Sequence, residues 1–133
     1  RLNKYNEIIK HKQFFKECQN HKILLKKLLL TLKKQNKKIL GYGASTKGNV
    51  LLQYCNIDSK VLDCIAEVNK FKFNKYTPGS NIKIISEKAA KLKKPDYMLA
   101  LPWHFKDHII KREQSFLNKG GKLIFPLPDI EII

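Results

Sequence analysis

The first 36 residues contain no glycine or proline, and apolar residues recur there at helical spacing: Tyr5, Ile8, Ile9 and Phe15, then Leu24, Leu25, Leu28, Leu29 and Leu32. The spacing predicts one long helix, or two with a break near Asn20 and His21. The lysines between the apolar positions read most simply as a solvated face, although a basic amphipathic helix can also lie on a membrane or against a partner.

Beyond Asn36 short apolar runs alternate with amphipathic stretches. Residues 38–42 read as a buried strand, 46–55 as a helix, 61–66 as a strand, 83–85 as a short strand and 86–92 as a helix capped by Ser86. Residues 97–101 then read as a strand and 103–117 as a helix with Phe105, Ile109 and Phe116 on one face. A last strand, 122–125, follows the Gly120–Gly121 turn. Strands alternating with helices imply right-handed crossovers and a mostly parallel sheet covered on both faces. The expected fold is α/β: a small Rossmann-like domain over residues 37–133, preceded by a helical lead-in over residues 1–36. The long loop over residues 67–82 carries Phe71, Phe73 and Tyr76, which a floppy linker would not need.

Composition narrows this picture in three ways. A chain of 133 residues, 43% hydrophobic, is the size of one domain. Lysine and arginine total 27 against 11 acidic residues, giving a formal charge of +16 that suits anionic partners such as nucleic acid, a membrane surface or phosphorylated small molecules. Only Arg1 and Arg112 are arginines, and an AT-rich genome produces the same lysine bias. The cysteines Cys18, Cys55 and Cys64 form no CxxC pair, which argues against a disulfide framework and a zinc site in this chain and suits a reducing cytoplasm. No apolar run approaches the ~20 residues that span a bilayer, and no secretory signal is present. The sequence opens on Arg1 and holds a single methionine, Met98, so a longer polypeptide is expected.

In an open parallel sheet, ligands bind at the carboxyl ends of the strands. There the first strand runs into Gly41, Tyr42, Gly43, Ala44, Ser45, Thr46, Lys47, Gly48 and Asn49, a small-residue loop opening a helix. Bare N–H groups and the helix dipole favour a phosphate at such a place, and Lys47 adds a mobile charge. The loop lacks the glycine at Thr46 of a dinucleotide fingerprint and the Lys-Ser/Thr after Gly48 of a Walker A motif. It also has Ile39 where methyl-donor sites usually carry an acid; a tight strand-to-helix turn is the plainer alternative. Glu67, 24 residues after Gly43, stands about where Rossmann proteins place an acid on a ribose hydroxyl, unless it is simply an exposed carboxylate. Trp103 and His104 follow the fourth strand; His104 could contact a sugar, act as an acid or base, or cap the next helix. His11, His21 and His108 have no acidic or cysteine company and receive no role.

Taken together, the stretch from Gly41 to Asn49, Pro78-Gly79, Pro95-Asp96-Tyr97, Leu101-Pro102-Trp103 and Pro126-x-Pro128 resemble the C-terminal domain of the sugar C-methyltransferases, in one collinear order from about Ile39 to Ile132. The resemblance implies that an N-terminal zinc-binding domain and a central S-adenosylmethionine (SAM) domain precede this one, and that the enzyme methylates a carbon of a nucleotide-linked 4-keto-deoxysugar. It further implies that this domain holds the nucleotide-sugar, through Tyr42, Gly43, Ala44, Ser45, Thr46, Lys47, Gly48, Asn49, Glu67, Asn69, Trp103 and His104. SAM and zinc would be bound by the other domains, and this chain alone would be inactive. Where the family's second strand usually ends D-x-N-P, this sequence has Glu67-Val68-Asn69-Lys70; the following K-x-G becomes Lys72-Phe73-Asn74, asparagine being the residue after glycine that best tolerates a left-handed backbone. His104 replaces the family's frequent asparagine, which bears on substrate detail rather than on fold. Two other readings stay open: a basic nucleic-acid-binding module, for which no sequence-specific motif is present, and a stand-alone NAD- or coenzyme-A-binding domain.

Overall fold

The computed structural model describes residues 2–133, apart from the side chains of residues 2, 3 and 5; the apolar position expected at Tyr5 and the arginine at position 1 lie outside the described residues. Helix α1 (Leu2–Lys34) turns tightly into strand β1 (Ile39–Tyr42), which is followed by α2 (Thr46–Tyr54), β2 (Ile65–Glu67), β3 (Ile84–Ser86) and α3 (Glu87–Leu92). Then come β4 (Tyr97–Ala100), α4 (Lys106–Arg112), α5 (Gln114–Asn118), β5 (Lys122–Phe125) and β6 (Glu131–Ile132), with 3-10 turns at Lys70–Lys72 and Trp103–Phe105. The six strands form one sheet in the order β3-β2-β1-β4-β5-β6. All neighbouring pairs are parallel except β5 and β6. This is the doubly wound α/β architecture that strand and helix alternation implied, and chain order reverses between β1 and β4.

Because successive strand residues face opposite sides, two cores form. On one face Leu25, Leu29 and Leu32 of α1 and Leu51 and Leu52 of α2 cover Ile39, Ile65, Leu99 and Ile124. On the other, Ala90 of α3 and Ile109 of α4 cover Leu40, Tyr42, Ala66, Met98 and Phe125.

Several elements differ from the sequence-based expectation. α1 is continuous through Asn20 and His21, and the ring Nε2 of His21 is hydrogen-bonded to the Pro126 carbonyl, so this histidine ties the helix to the loop after β5. Only the second half of α1 packs on the sheet: Ile8, Ile9, Phe15 and Leu24, expected on an apolar face, are exposed. A 33-residue helix is about 50 Å long, whereas a four-residue strand covers about 13 Å, so α1 outruns the sheet at the carboxyl edge. The helix expected over 103–117 is interrupted at Glu113, whose backbone (φ −99°, ψ 25°) leaves the helical region. Phe105 is exposed while Ile109 is buried and Phe116 half-buried. The short antiparallel β6 was not foreseen, since two exposed residues carry no alternation to read.

The 67–82 loop is tied down. Asn74 N–H donates to the Ile84 carbonyl, Ile84 N–H to the Lys75 carbonyl, and Ile82 N–H to Thr77 Oγ1, while the buried hydroxyls of Thr77 and Ser80 bond each other. Asn74 adopts φ 64°, the left-handed conformation expected of an asparagine in a glycine's place. Phe71 stays 85% exposed at the tip.

Candidate functional site

The loop between β1 and α2 is shaped by two close approaches. Gly43 has φ 77°, and a Cβ there would come within 3.0 Å of Pro102 Cδ; a Cβ at Gly48 would stand 2.6 Å from Leu101 Cβ. The small residues therefore let the first βα loop pack beneath the loop after β4, at the point where chain order reverses. Ser45 starts α2 as its N-cap, its Oγ accepting from Gly48 N–H at 3.0 Å.

Glu67 is 9% exposed and fixes the loop from the end of β2. Its Oε1 accepts from Ala44 N–H (3.0 Å), and its Oε2 from Val68 N–H (2.7 Å) and Asn69 N–H (2.9 Å). Lys72 Nζ lies 3.8 Å from Oε1 and donates to the Ala44 carbonyl at 2.8 Å. The carboxylate is thus neither an exposed charge nor free of partners: it is a brace that holds two loops in register. Asn69 caps the following 3-10 turn, its Oδ1 accepting from Phe71 N–H.

With Gly43 N–H on the Ala66 carbonyl, Ala44 N–H on Glu67 and Gly48 N–H on Ser45, the N–H groups of Ser45, Thr46 and Lys47 are left without an acceptor among the described residues. Thr46 and Lys47 are exposed. Asn49 Oδ1, one turn further along α2, is enclosed and meets no donor among the described residues.

A groove of about 360 Å³ opens beside this helix start. Lys47, Val50 and Tyr54 of α2 form one wall, Phe14, Cys18 and His21 of α1 the other, and Trp103, Leu127 and Pro128 the end. Lys22 Nζ stands 5.3 Å from the centre of the Tyr54 ring. A larger cavity of about 470 Å³, bordered by Lys94, Asp96, Lys119 and Gly121, lies at the opposite, amino edge of the sheet, away from the strand ends where open α/β sheets bind ligands.

Of the residues marked in the sequence, Gly43 through Asn49, Glu67 and Asn69 come together as one braced loop pair, and Trp103 joins Lys47 in the groove. His104 does not line the groove. It is exposed, its ring 4.2 Å from that of Phe105, and no side chain caps either helical turn there, so the expected capping role is not seen. Tyr42 points to the opposite face, because it is the even neighbour of Gly41 and Gly43 on the strand.

There Tyr42 enters a cluster that sequence reasoning missed. Its hydroxyl donates to Glu113 Oε2 at 3.1 Å and accepts from Arg112 at 2.6 Å. Arg112 also donates to Glu87 (2.8 Å), and Lys91 Nζ stands 2.9 Å from both Glu87 Oε1 and Glu113 Oε1. Glu113 is 1% exposed. Burial, with the charge of Glu113 added, pushes the Tyr42 phenol up to about 12 against the favourable bond from Arg112. Burial also pulls the Glu87 carboxyl up, but the bonds from Lys91 and Arg112 outweigh it and hold the group below its ordinary value. The available signal was position: Glu113 lies four residues after Ile109 and three before Phe116, on the face that turns inward. Burial likewise pushes the thiols of Cys55 and Cys64 up.

Among the described residues no group of three His, Cys, Asp or Glu side chains could hold a metal, and no helix is long and apolar enough to cross a membrane.

Comparison with known proteins gives the family. The C-methyltransferase NovU of Streptomyces niveus is 32% identical over 123 residues, which is 92% of this chain and 29% of that protein. The chain thus spans less than a third of the length of this relative. The profile of the C-methyltransferase C-terminal domain matches residues 2–128, from the first turns of α1 to the loop before β6, and the chain belongs to that family.

Proposed function

We propose that this domain holds the nucleotide-sugar substrate of a SAM-dependent C-methyltransferase, with the diphosphate at the start of α2. The observation that carries the reading is the trio of N–H groups at Ser45, Thr46 and Lys47, which meet no acceptor among the described residues and are joined by an exposed lysine at the carboxyl edge of the sheet. A diphosphate supplies the acceptors these groups lack, and the helix dipole has the matching sign. Glu67 and Lys72 act one step back: they hold Ala44, and with it the path of the loop, without needing to touch the ligand. The substrate class, a nucleotide-linked 4-keto-deoxysugar, follows the sugar C-methyltransferases that the sequence resembles.

SAM supplies the methyl group in this reading and is held, like zinc, by other domains of the same polypeptide. This chain's part is to bind and orient the acceptor, and by itself it transfers nothing. Three free cysteines suit a cytoplasmic enzyme.

Calorimetry tests the assignment. Lys47→Ala should weaken a nucleoside diphosphate-sugar roughly ten- to a hundredfold, the worth of a charge-assisted contact of about 1.5–3 kcal/mol. SAM should not bind the isolated chain. Unchanged nucleotide-sugar affinity in Lys47→Ala, or micromolar SAM binding, overturns the reading.

A further inference from the structure

We propose that the groove between α1 and α2 is the subsite for the heteroaromatic base of the nucleotide, with the middle of α1 as one of its walls. The inference rests on the diphosphate being at the start of α2, as above.

Direction comes from helix geometry. Lys47, Val50 and Tyr54 stand at i, i+3 and i+7 on α2, so one face of the helix leads from its amino end into the groove. Seven residues advance about 10 Å, a distance on the scale of a nucleoside diphosphate. A ligand anchored at Lys47 and laid along this face reaches Val50 and then Tyr54.

The chemistry of the walls then chooses which half of the ligand enters. Phe14, Tyr54 and Trp103 bring three aromatic rings to one groove, with Val50 and Leu127 between them. Its charged and polar side chains are few: Lys47 at the helix start, Glu17 on α1, and His21, whose ring is bonded to the Pro126 carbonyl. A deoxysugar has no flat π face to lay on these rings, and its carbonyl and hydroxyls need more polar partners than the groove offers, whereas a flat base presents π faces that stack on such rings. The sugar therefore points the other way, out from the strand ends, where another domain can reach it. Recognition by stacking, with few groups to read the base edges, tolerates more than one base.

Trp103 is the chain's single tryptophan, so its fluorescence reports on the groove directly. The 133-residue chain is titrated with UDP, ADP and inorganic pyrophosphate. UDP and ADP should both change Trp103 emission, and pyrophosphate should bind more weakly without changing it. Phe14→Ala and Tyr54→Ala should weaken UDP roughly five- to a hundredfold and leave pyrophosphate unaffected, as expected for lost base stacking. Both side chains are substantially exposed, Phe14 by 66% and Tyr54 by 40%, so neither truncation opens the core. Lys47→Ala should weaken all three ligands. If Lys47→Ala weakens UDP but Phe14→Ala and Tyr54→Ala do not, the base lies elsewhere while the diphosphate assignment stands. If UDP binds no better than pyrophosphate, the base subsite is likewise overturned. If neither binds, the diphosphate assignment fails and the subsite with it.

Discussion

Glu67 and Glu113 are both buried carboxylates in the carboxyl half of the sheet, and they are satisfied by opposite means. Glu67 takes three main-chain N–H groups from Ala44, Val68 and Asn69, so its charge holds the path of the chain at the carboxyl edge of the sheet. Glu113 takes side chains, Tyr42, Lys91 and Arg112, so its charge fastens strand β1 to α3 and to the break between α4 and α5. The first arrangement orders a loop; the second clamps elements that would otherwise meet only through apolar contact. Substitutions should therefore separate along the same line, with function failing on one side and stability on the other.

The largest effect is expected on the clamp. Glu113→Ala leaves two cations and a phenol facing an apolar gap and should cost about 2–4 kcal/mol, less than a fully buried pair because Lys91 and Arg112 can turn to water. That corresponds to a melting temperature lower by roughly 10 °C in a domain of this size, with nucleotide affinity retained by the remaining folded protein. An unchanged melting curve would show that the cluster clamps nothing.

Alkali should probe the same side without mutation. The Tyr42 phenol is pushed up to about 12 from an ordinary 10.0, so the folded state favours its neutral form. Its contribution is complete below pH 10 and is lost as pH rises from 10 towards 12, amounting to about 2–3 kcal/mol. Absorbance titration should find a tyrosine step near pH 12, and Tyr42→Phe should remove it. Glu87 works in the other direction: its carboxyl is held low, so its share of stability is present above the ordinary carboxylate range and is lost as pH falls through the folded value.

On the loop side, Glu67→Gln replaces an acceptor oxygen by an NH₂ that faces a main-chain N–H. A loss of about 1–3 kcal/mol is expected, and here nucleotide affinity should fall as well, because the Ala44–Lys47 path is no longer held. Gly43→Val belongs with it: φ 77° strains any side chain and Pro102 stands in the way, so melting temperature and affinity should drop together. Either variant binding a nucleotide-sugar at wild-type strength would break the contrast between the two carboxylates. The smallest stability change is expected for Lys47→Ala, within about 0.5 kcal/mol by thermal melt, since the side chain is exposed and supports little of the core.

The alternation of strands and helices up to β5, the capping serine at 86, and the small-residue loop were legible from pattern because each depends on residues close in sequence. Period-2 and period-3.6 spacing report which face of an element is apolar, and a cap reports on the three residues after it. The sequence also contained Asn74's left-handed turn, since that is a property of one residue's backbone. What it did not contain was what lies opposite. Ile8 and Ile9 look like Leu25 and Leu29, yet the first pair runs past the sheet and the second lands on it, a matter of helix length against strand length. Glu67 was readable as an acid at a strand end but not as one already occupied, because its partner Ala44 is 23 residues away. Tyr42 meets Arg112 and Glu113 across 70 and 71 residues, and the groove needs α1, α2 and the loops after β4 and β5 at once. Local chemistry determined the elements and the loop; only the packed sheet, which brings distant residues within bonding distance, decided which charges are braces and which remain free for a ligand.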